Sequence, residues 1–242
     1  MDTIFELNLN PSELGWVCAG LGMVTEIALP AGVDSTNTLD QGRKSLAERG
    51  LVRQEEQGHW VVDELIAGLA YGLGKPSAVW MMDHLDEKGR SQTGLYDLQG
   101  VFVVVEPVLD DYRFVFVENR SNALEWKFEN LNFNGKDSRS YSLPAESILS
   151  LAGLARKDRP AAARAFANAG LGKQEAEDNS QWLAQIENAT LITRLSLESG
   201  KLMPDGQSLV LSDGKAVWAG RLAVDRLEVK PVIKEDIQEI LP

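Results

Sequence analysis

Residues 45–56 read SLAERGLVRQEE, and residues 165–176 read AFANAGLGKQEA. The first stretch predicts a helix that ends at Gly50, followed by a turn that leads into a strand. The two stretches align without a gap, because Gly50 and Gly170 lie 120 residues apart. This repeated element predicts that the chain contains an internal duplication.

Two further short matches follow the same order along the chain. Residues 124–127 (LEWK) are similar to residues 227–230 (LEVK), and residues 11–14 (PSEL) are similar to residues 144–147 (PAES). Each half then reads as helix, helix with a glycine turn, helix, strand, hairpin and strand. Three matches in one order favour duplication over chance, and the residue patterns predict a duplicated α+β protein.

Composition limits the function classes that fit this chain. It has 242 residues, of which 44% are hydrophobic and 25% are charged, as expected for a globular protein with a core. The net charge of −12 disfavours nucleic acid and anionic membranes as partners. The first ten residues lack the features of a signal peptide, and no apolar run approaches the roughly 20 residues of a membrane span. We therefore predict a cytoplasmic protein.

The local patterns predict several elements and one boundary. The polar residues 86–100 predict a long loop or hairpin tip, and the alternation at residues 124–128 predicts a half-buried strand. Residues 130–141, rich in Asn, Ser and Gly, predict a linker. The predicted division is an N-terminal α+β half over residues 1–135 and a C-terminal α+β half over residues 136–242, which together form one compact unit.

Capping and turn signals predict further elements. Residues 3–9 alternate as a strand does, and Asn10 is placed to cap a helix that begins at Pro11. Asp213-Gly214 predicts a tight hairpin turn, and residues 234–241 predict a closing amphipathic helix.

No motif for catalysis stands out. Residues 82–87 (MDHLDE) combine three carboxylates with a histidine, which makes a metal site conceivable, but a solvated strand end is the favoured interpretation. Residues 72–75 (GLGK) lack the spacing of a phosphate-binding loop, and no serine-nucleophile motif occurs. The prediction is a non-enzymatic protein without a metal or cofactor.

A DNA-binding regulator is the alternative. Residues 39–62 predict a helix, a glycine turn and a small two-stranded wing, as in winged-helix proteins, and four basic residues lie in this segment. Three glutamates dilute the cluster, and phosphate contacts need positive charge, so this alternative ranks second. The basic residues are Arg43, Lys44, Arg49 and Arg53.

Three segments resemble the EspG family, the cytosolic chaperones of mycobacterial type VII secretion. They are residues 9–14 (LNPSEL), residues 46–52 (LAERGLV) with the helix that follows, and residues 227–242 (LEVKPVIKEDIQEILP). The resemblance implies a quasi-two-fold α+β fold with a central antiparallel sheet flanked by helical bundles.

The resemblance also implies a function and a binding surface. The chain would be an adaptor that holds a helical secreted protein, PE–PPE-like or WXG100-like, soluble for export. Contact would be made by a loop between central strands, here residues 86–100, and by the C-terminal helical part. The implied partner-binding residues, expected to be exposed, are Leu85, Lys88, Arg90 and Tyr96. No nucleic acid or membrane partner is implied, and the sequence does not predict the oligomeric state.

Overall fold

A computed structural model describes most of the chain. The predictions made for residues 145–147, and for part of the linker at residues 134–137, lie outside the described residues. The described residues are 3–22, 29–31, 38–56, 58–133, 138–144, 148–223, 226–240 and 242.

Side-chain caps fix the start of the first two helices. The Asn10 side chain accepts a hydrogen bond from the Glu13 backbone N–H while the Glu13 carboxylate accepts from the Asn10 N–H, which confirms the predicted cap. Thr38 and Gln41 form the same reciprocal pair at the second helix. The helices are α1 (Pro11–Gly20), α2 (Leu39–Glu48), α3 (Glu64–Gly74), α4 (Arg120–Phe128), α5 (Ile148–Lys157), α6 (Arg159–Asn168), α7 (Lys173–Leu183) and α8 (Ile237–Ile240), the last preceded by a 3₁₀ turn at Lys234–Asp236.

The strands form one large sheet and a separate small pair. The strands are β1 (Thr3–Leu9), β2 (Val52–Gln54), β3 (Trp60–Val62), β4 (Ala78–Leu85), β5 (Arg90–Leu98), β6 (Val101–Val108), β7 (Asp111–Val117), β8 (Tyr141–Pro144), β9 (Asn188–Glu198), β10 (Lys201–Ser212), β11 (Val217–Ala223) and β12 (Arg226–Pro231). Among the described residues the large sheet has the order β1-β7-β6-β5-β4-β9-β10-β11-β12-β8, and β2 pairs with β3 as the predicted wing. The predicted α+β class with a large antiparallel sheet is confirmed.

The chain forms two compact units. Unit 1 consists of Met1–Met81, Gln92–Ala123 and Leu195–Met203, and unit 2 of Met82–Ser91, Leu124–Arg194 and Pro204–Pro242. Because neither unit is a continuous stretch of chain, the division at residues 135 and 136 stays a prediction. No helix in the described part of the chain is both long and apolar enough to cross a membrane.

Unit 1 is held together by a buried carboxylate. Glu13 on α1 is 1% exposed, and besides its cap it accepts hydrogen bonds from the Ser45 hydroxyl at 2.6 Å and the Arg49 guanidinium at 2.9 Å. The other arm of Arg49 donates to the Asn8 carbonyl oxygen at 2.7 Å. One charge pair therefore connects β1, α1 and the end of α2, above a core that contains Leu9, Leu46, Leu69 and Phe114.

The core of unit 2 is built around three aromatic rings. Tyr141 and Trp182 stack with their ring centroids 3.7 Å apart, and Trp218 meets Trp182 edge-on at 5.3 Å. Ala152 on α5 and Phe166 on α6 are fully buried in the same cluster. The predicted hairpin turn between β10 and β11 is confirmed, because the Asp213 carboxylate accepts from two backbone N–H groups after Gly214.

The two copies of the repeated stretch share a helix end and a glycine turn but then differ, because residues 52–54 form β2 whereas α7 begins at Lys173. α2 and α6 each end before a glycine with positive φ, 72° at Gly50 and 92° at Gly170, and each turn has a hydrogen bond from the next leucine back to a fully buried residue, Leu46 or Phe166. In both halves one strand is followed by three helices and then by four strands, apart from the β2–β3 pair in the first. The duplication itself stays a prediction.

Two predictions of secondary structure are wrong. Residues 86–100 are not a long loop, because β5 occupies most of them and buries Leu95 and Tyr96 completely. Residues 124–128 are helical, since Asn119 accepts a hydrogen bond from the Asn122 N–H at 2.9 Å and starts α4. The similar residues 227–230 lie in β12, so this match does not support duplication.

The close approach of α1 and α2 generates a prediction. A Cβ atom on Gly42 would lie 2.2 Å from the Ser12 carbonyl oxygen, whereas one on Gly68 of α3 would meet nothing within 4 Å. We expect Gly42→Ala to lower the free energy of unfolding by about 1–3 kcal/mol, because the helices must separate. Gly68→Ala, the matched control, should raise it by up to about 1 kcal/mol. Urea unfolding measures both, and equal stabilities would contradict the described helix contact.

Candidate partner-binding site

The turn between β4 and β5 is short and internally hydrogen-bonded. The Asp86 carboxylate accepts hydrogen bonds from the backbone N–H groups of Lys88 at 2.8 Å and Gly89 at 3.1 Å, and the Asp86 N–H donates to the Gly89 carbonyl oxygen. Gly89 has a φ of 125°, which favours glycine. The exposed side chains of the turn and of the first residue of β5, namely Glu87, Lys88 and Arg90, are therefore presented on an ordered backbone.

Arg156, near the end of α5, connects this turn to the rest of unit 2. Its guanidinium donates to three backbone carbonyl oxygens, those of Ile186 at 2.8 Å, Glu187 at 2.9 Å and Asp86 at 3.0 Å. Partial burial lowers the pKa of this guanidinium, although Asp86 and Glu187 oppose the shift. The guanidinium stays charged, and its hydrogen bonds to three carbonyl oxygens hold the β4–β5 turn against α5 and the segment that precedes β9.

An apolar contact reinforces this connection. Leu85 packs against the core of unit 2, and a Cβ atom on Gly153 of α5 would lie 3.6 Å from its side chain. The expectation that Leu85 is exposed is therefore wrong, because its side chain is half-buried and packs against the core of unit 2 beside α5.

The structure separates the four predicted site residues. Lys88 and Arg90 are exposed as expected, and Arg90 forms an ion pair with Asp83 at 3.2 Å. The expectation that Tyr96 is exposed is wrong, because its side chain is fully buried in the core of unit 1. Burial also raises the pKa of the Tyr96 phenol. Tyr96 belongs to the run Thr93-Gly94-Leu95-Tyr96 of β5, whose residues are all buried. This run lies within the polar residues that predicted a loop, so its burial was missed.

A groove between α6 and α7 was not predicted from the sequence. It encloses about 430 Å³, and its apolar floor is made by small side chains. Three cations surround the floor, and no carboxylate pairs with them in the described part of the chain. The sequence signal was the alanine-rich run of residues 161–167, which contains Arg164 and follows Arg159. The floor residues are Ala163, Ala167 and Ala176, and the cations are Arg159, Arg164 and Lys173.

His84 is not a solvated strand end. Its Nδ1 lies 2.8 Å from the Thr190 hydroxyl, and its Nε2 is buried with no hydrogen-bond partner among the described residues. Burial, assisted by the charge of Lys127, lowers the pKa of His84 to about 3. The imidazole is therefore neutral at physiological pH. Within the described ranges, no three His, Cys, Asp or Glu residues come together as a metal site.

The helix and wing of the DNA-binding alternative have little free positive charge. Arg43 and Lys44 pair with the same carboxylate, Asp40, at 2.7 and 3.1 Å, and Arg49 pairs with Glu13. Three of the four cations that suggested DNA binding thus already have carboxylate partners. This arrangement disfavours phosphate contacts at the wing.

Comparison with known proteins adds a likeness of fold. No protein-family model and no curated protein matches the chain. One similar solved structure is the type VII secretion system chaperone EspG5 of Mycobacterium tuberculosis, in complex with the PE25–PPE41 dimer. The likeness has a TM-score of 0.64 at 11% sequence identity and covers 98% of this chain and 97% of that chain. The chain therefore has the EspG-like fold that the sequence resemblance implied.

Removing the Arg156 guanidinium tests its structural role. Arg156→Met keeps much of the aliphatic stem but leaves three carbonyls without their donor, so we expect a loss of about 2 kcal/mol in the free energy of unfolding. Hydrogen exchange at the amides of Lys88 and Gly89 should also accelerate. Arg164→Met, which removes an unpaired cation, is the control and should change neither quantity. If both variants behave alike, Arg156 does not hold the turn.

The buried His84 predicts a pH dependence of stability. The pKa of the His84 imidazole is about 6.5 in the unfolded chain, whereas in the folded chain it is lowered to about 3. Stability is therefore complete above pH 6.5 and declines as the pH falls, by about 2 kcal/mol between pH 7.5 and 5 from this group. His84→Gln should remove this part of the decline and His59→Gln should keep it, as measured by urea unfolding at both pH values. An unchanged pH slope in His84→Gln would show that His84 is not protected.

Proposed function

We propose that this protein is a non-enzymatic cytoplasmic adaptor that holds a helical secreted protein soluble. The proposal starts from the EspG-like fold, since the similar structure is a type VII secretion chaperone in complex with a PE25–PPE41 dimer. By analogy, the client is a helical protein of PE–PPE-like or WXG100-like type. The fold alone does not specify a partner, whereas the surface of unit 2 has features that suit one.

The observation that carries the proposal is the hydrogen bonding of the β4–β5 turn to α5 through Arg156. A surface that is already ordered loses little conformational entropy when a partner binds. The turn has its own Asp86 hydrogen bonds, an apolar support in Leu85 and a charged connection to the helices. Lys88 therefore offers an ordered cation to a partner's carboxylate, and Arg90, whose present partner is Asp83 at 3.2 Å, can contribute by exchanging that partner.

The α6–α7 groove supplies the second part of the proposed surface. Its alanine floor lets a partner backbone or a small apolar side chain approach closely, because no large side chain fills the space. The cations Arg159, Arg164 and Lys173 outnumber the one lining carboxylate, Glu177, and would pair with acidic residues at the partner's rim. The expected client thus presents a helical tip with small apolar residues flanked by carboxylates.

The chemistry of this surface suits binding without catalysis. The guanidinium of Arg156 is occupied by three backbone carbonyls, and the buried His84 is neutral and bonded to Thr190. Neither group is placed to exchange a proton with a bound molecule. We accordingly assign Lys88, Arg90 and the supporting Leu85 to the partner-binding surface and omit the buried Tyr96.

Charge reversal at the turn tests the proposed function. The tagged chain is expressed in its native host and used to capture partners, which are identified by mass spectrometry. Each partner is then co-purified as a pair, and its solubility is compared with that of the partner expressed alone. We expect one predominantly helical secreted protein, soluble only in the pair. The variant Lys88→Glu/Arg90→Glu should lower its recovery about tenfold, a loss of about 1.4 kcal/mol.

The matched control is Lys201→Glu/Lys230→Glu, which changes the net charge equally at two other exposed lysines. It should recover the partner like the unmodified chain. Equal losses in both variants would mean that net charge, and not the β4–β5 turn, governs binding. Capture of no helical secreted protein would contradict the adaptor role.

A further inference from the structure

β8 forms one end of the large sheet. It pairs with β12 on one side, in the register Tyr141↔Val229 to Pro144↔Arg226, and no described strand pairs with its other side. Such an edge presents backbone N–H and C=O groups that can pair with another chain. β8 is short and carries Pro144, so its free edge is limited to a few residues.

The hydrogen bonds show which groups of this edge point outward. The Ser142 carbonyl oxygen accepts from the Asn179 side chain of α7 at 2.8 Å and therefore faces away from β12. Ser140 directly precedes β8, and if the alternation of a strand is continued by one residue its backbone groups point the same way. Ser140 is exposed, and its N–H and C=O have no hydrogen-bond partner in the described part of the chain. The Arg139 carbonyl oxygen, in contrast, accepts from the Trp218 indole N–H and faces the core.

A cavity of about 800 Å³ opens beside this edge. Its far wall is the side of α7, which contributes four carboxamide side chains. Carboxamides both donate and accept hydrogen bonds, as the groups of an extended backbone require. Gln174 already donates to Asp178 at 3.0 Å and Asn179 to Ser142, so Gln181 and Gln185 are the two placed to serve a peptide. The volume is within the range of ligand sites. The carboxamide residues are Gln174, Asn179, Gln181 and Gln185.

The charge of the lining favours a cation. Glu175, Asp178 and Glu228 line the cavity, against the one lining cation Arg139. Arg226 reaches Glu175 only at 3.9 Å, which is a weak ion pair. A second copy of this chain, with a net charge of −12, would be repelled, and so would nucleic acid.

From these observations we infer that the cavity between β8 and α7 binds an extended basic peptide segment, which adds a short strand to β8. The peptide backbone pairs with Ser140 and with the outward N–H of Ser142, while the Asn179–Ser142 hydrogen bond marks where pairing ends. Basic side chains of the peptide meet Glu175 and Asp178 on α7. Main-chain pairing supplies affinity and the acidic wall supplies specificity, as in other cases of strand addition.

Synthetic peptides test this site on the full chain. The probes are fluorescein-labelled acetylated octapeptides of alternating Lys and Thr, of alternating Glu and Thr, and the Lys–Thr peptide with N-methylated threonines. By fluorescence anisotropy the Lys–Thr peptide should bind about tenfold more tightly than either of the others. Its binding should protect the outward amides of Ser140 and Ser142 from hydrogen exchange. Equal binding of all three peptides would overturn the inference.

Matched variants assign the binding to this cavity. Glu175→Gln/Asp178→Asn should weaken the Lys–Thr peptide about tenfold, whereas Glu55→Gln/Glu56→Gln, an equal charge change elsewhere, should not. Ser140→Pro removes one outward N–H and should weaken binding without lowering the thermal unfolding midpoint. If the α7 variant binds like its control, the site is not here, whatever Ser140→Pro does. This outcome is independent of the adaptor proposal, whose test uses the β4–β5 turn.

Discussion

One guanidinium orders the part of unit 2 that we propose as the binding surface. Arg156 donates to the backbone carbonyls of Asp86, Ile186 and Glu187, so a helix, a hairpin turn and the segment before β9 share a single charged group. Without it, three partly buried carbonyls would need water, and the turn would keep only its own Asp86 hydrogen bonds and the Leu85 contact. The proposed adaptor role depends on this connection, because an ordered turn binds at a lower entropic cost than a mobile one.

In unit 1 the charged group that connects several elements is a carboxylate instead of a guanidinium. The Glu13 carboxylate is almost fully buried, and its bonds to Asn10, Ser45 and Arg49 satisfy both oxygens. The ion pair between Glu13 and Arg49 also neutralises the charge of Arg49, which lies in the segment that suggested DNA binding. The interaction that stabilises this unit is therefore also the reason that the winged-helix alternative loses support.

Local signals in the sequence predicted the elements that local chemistry determines. The Asn10 cap, the Asp213-Gly214 turn and the α2 end at Gly50 each depend on residues within a few positions of one another. β5 was missed because its burial depends on packing against residues that are distant in the sequence. Lys88 and Arg90 were predicted only from the family resemblance. Arg156 had no signal at all, since its partners are backbone carbonyls that any sequence provides. The α6–α7 groove was missed for a related reason, because an empty space depends on how two helices pack.

The most direct test of the central claim is a crystal structure of the chain bound to its native helical client. We expect the client to contact the β4–β5 turn at Lys88 and Arg90 and to insert small side chains between α6 and α7, while the Arg156 hydrogen bonds remain in place. A client that instead contacts the β2–β3 pair of unit 1, or a complex in which Arg156 releases the Asp86 carbonyl, would contradict this expectation.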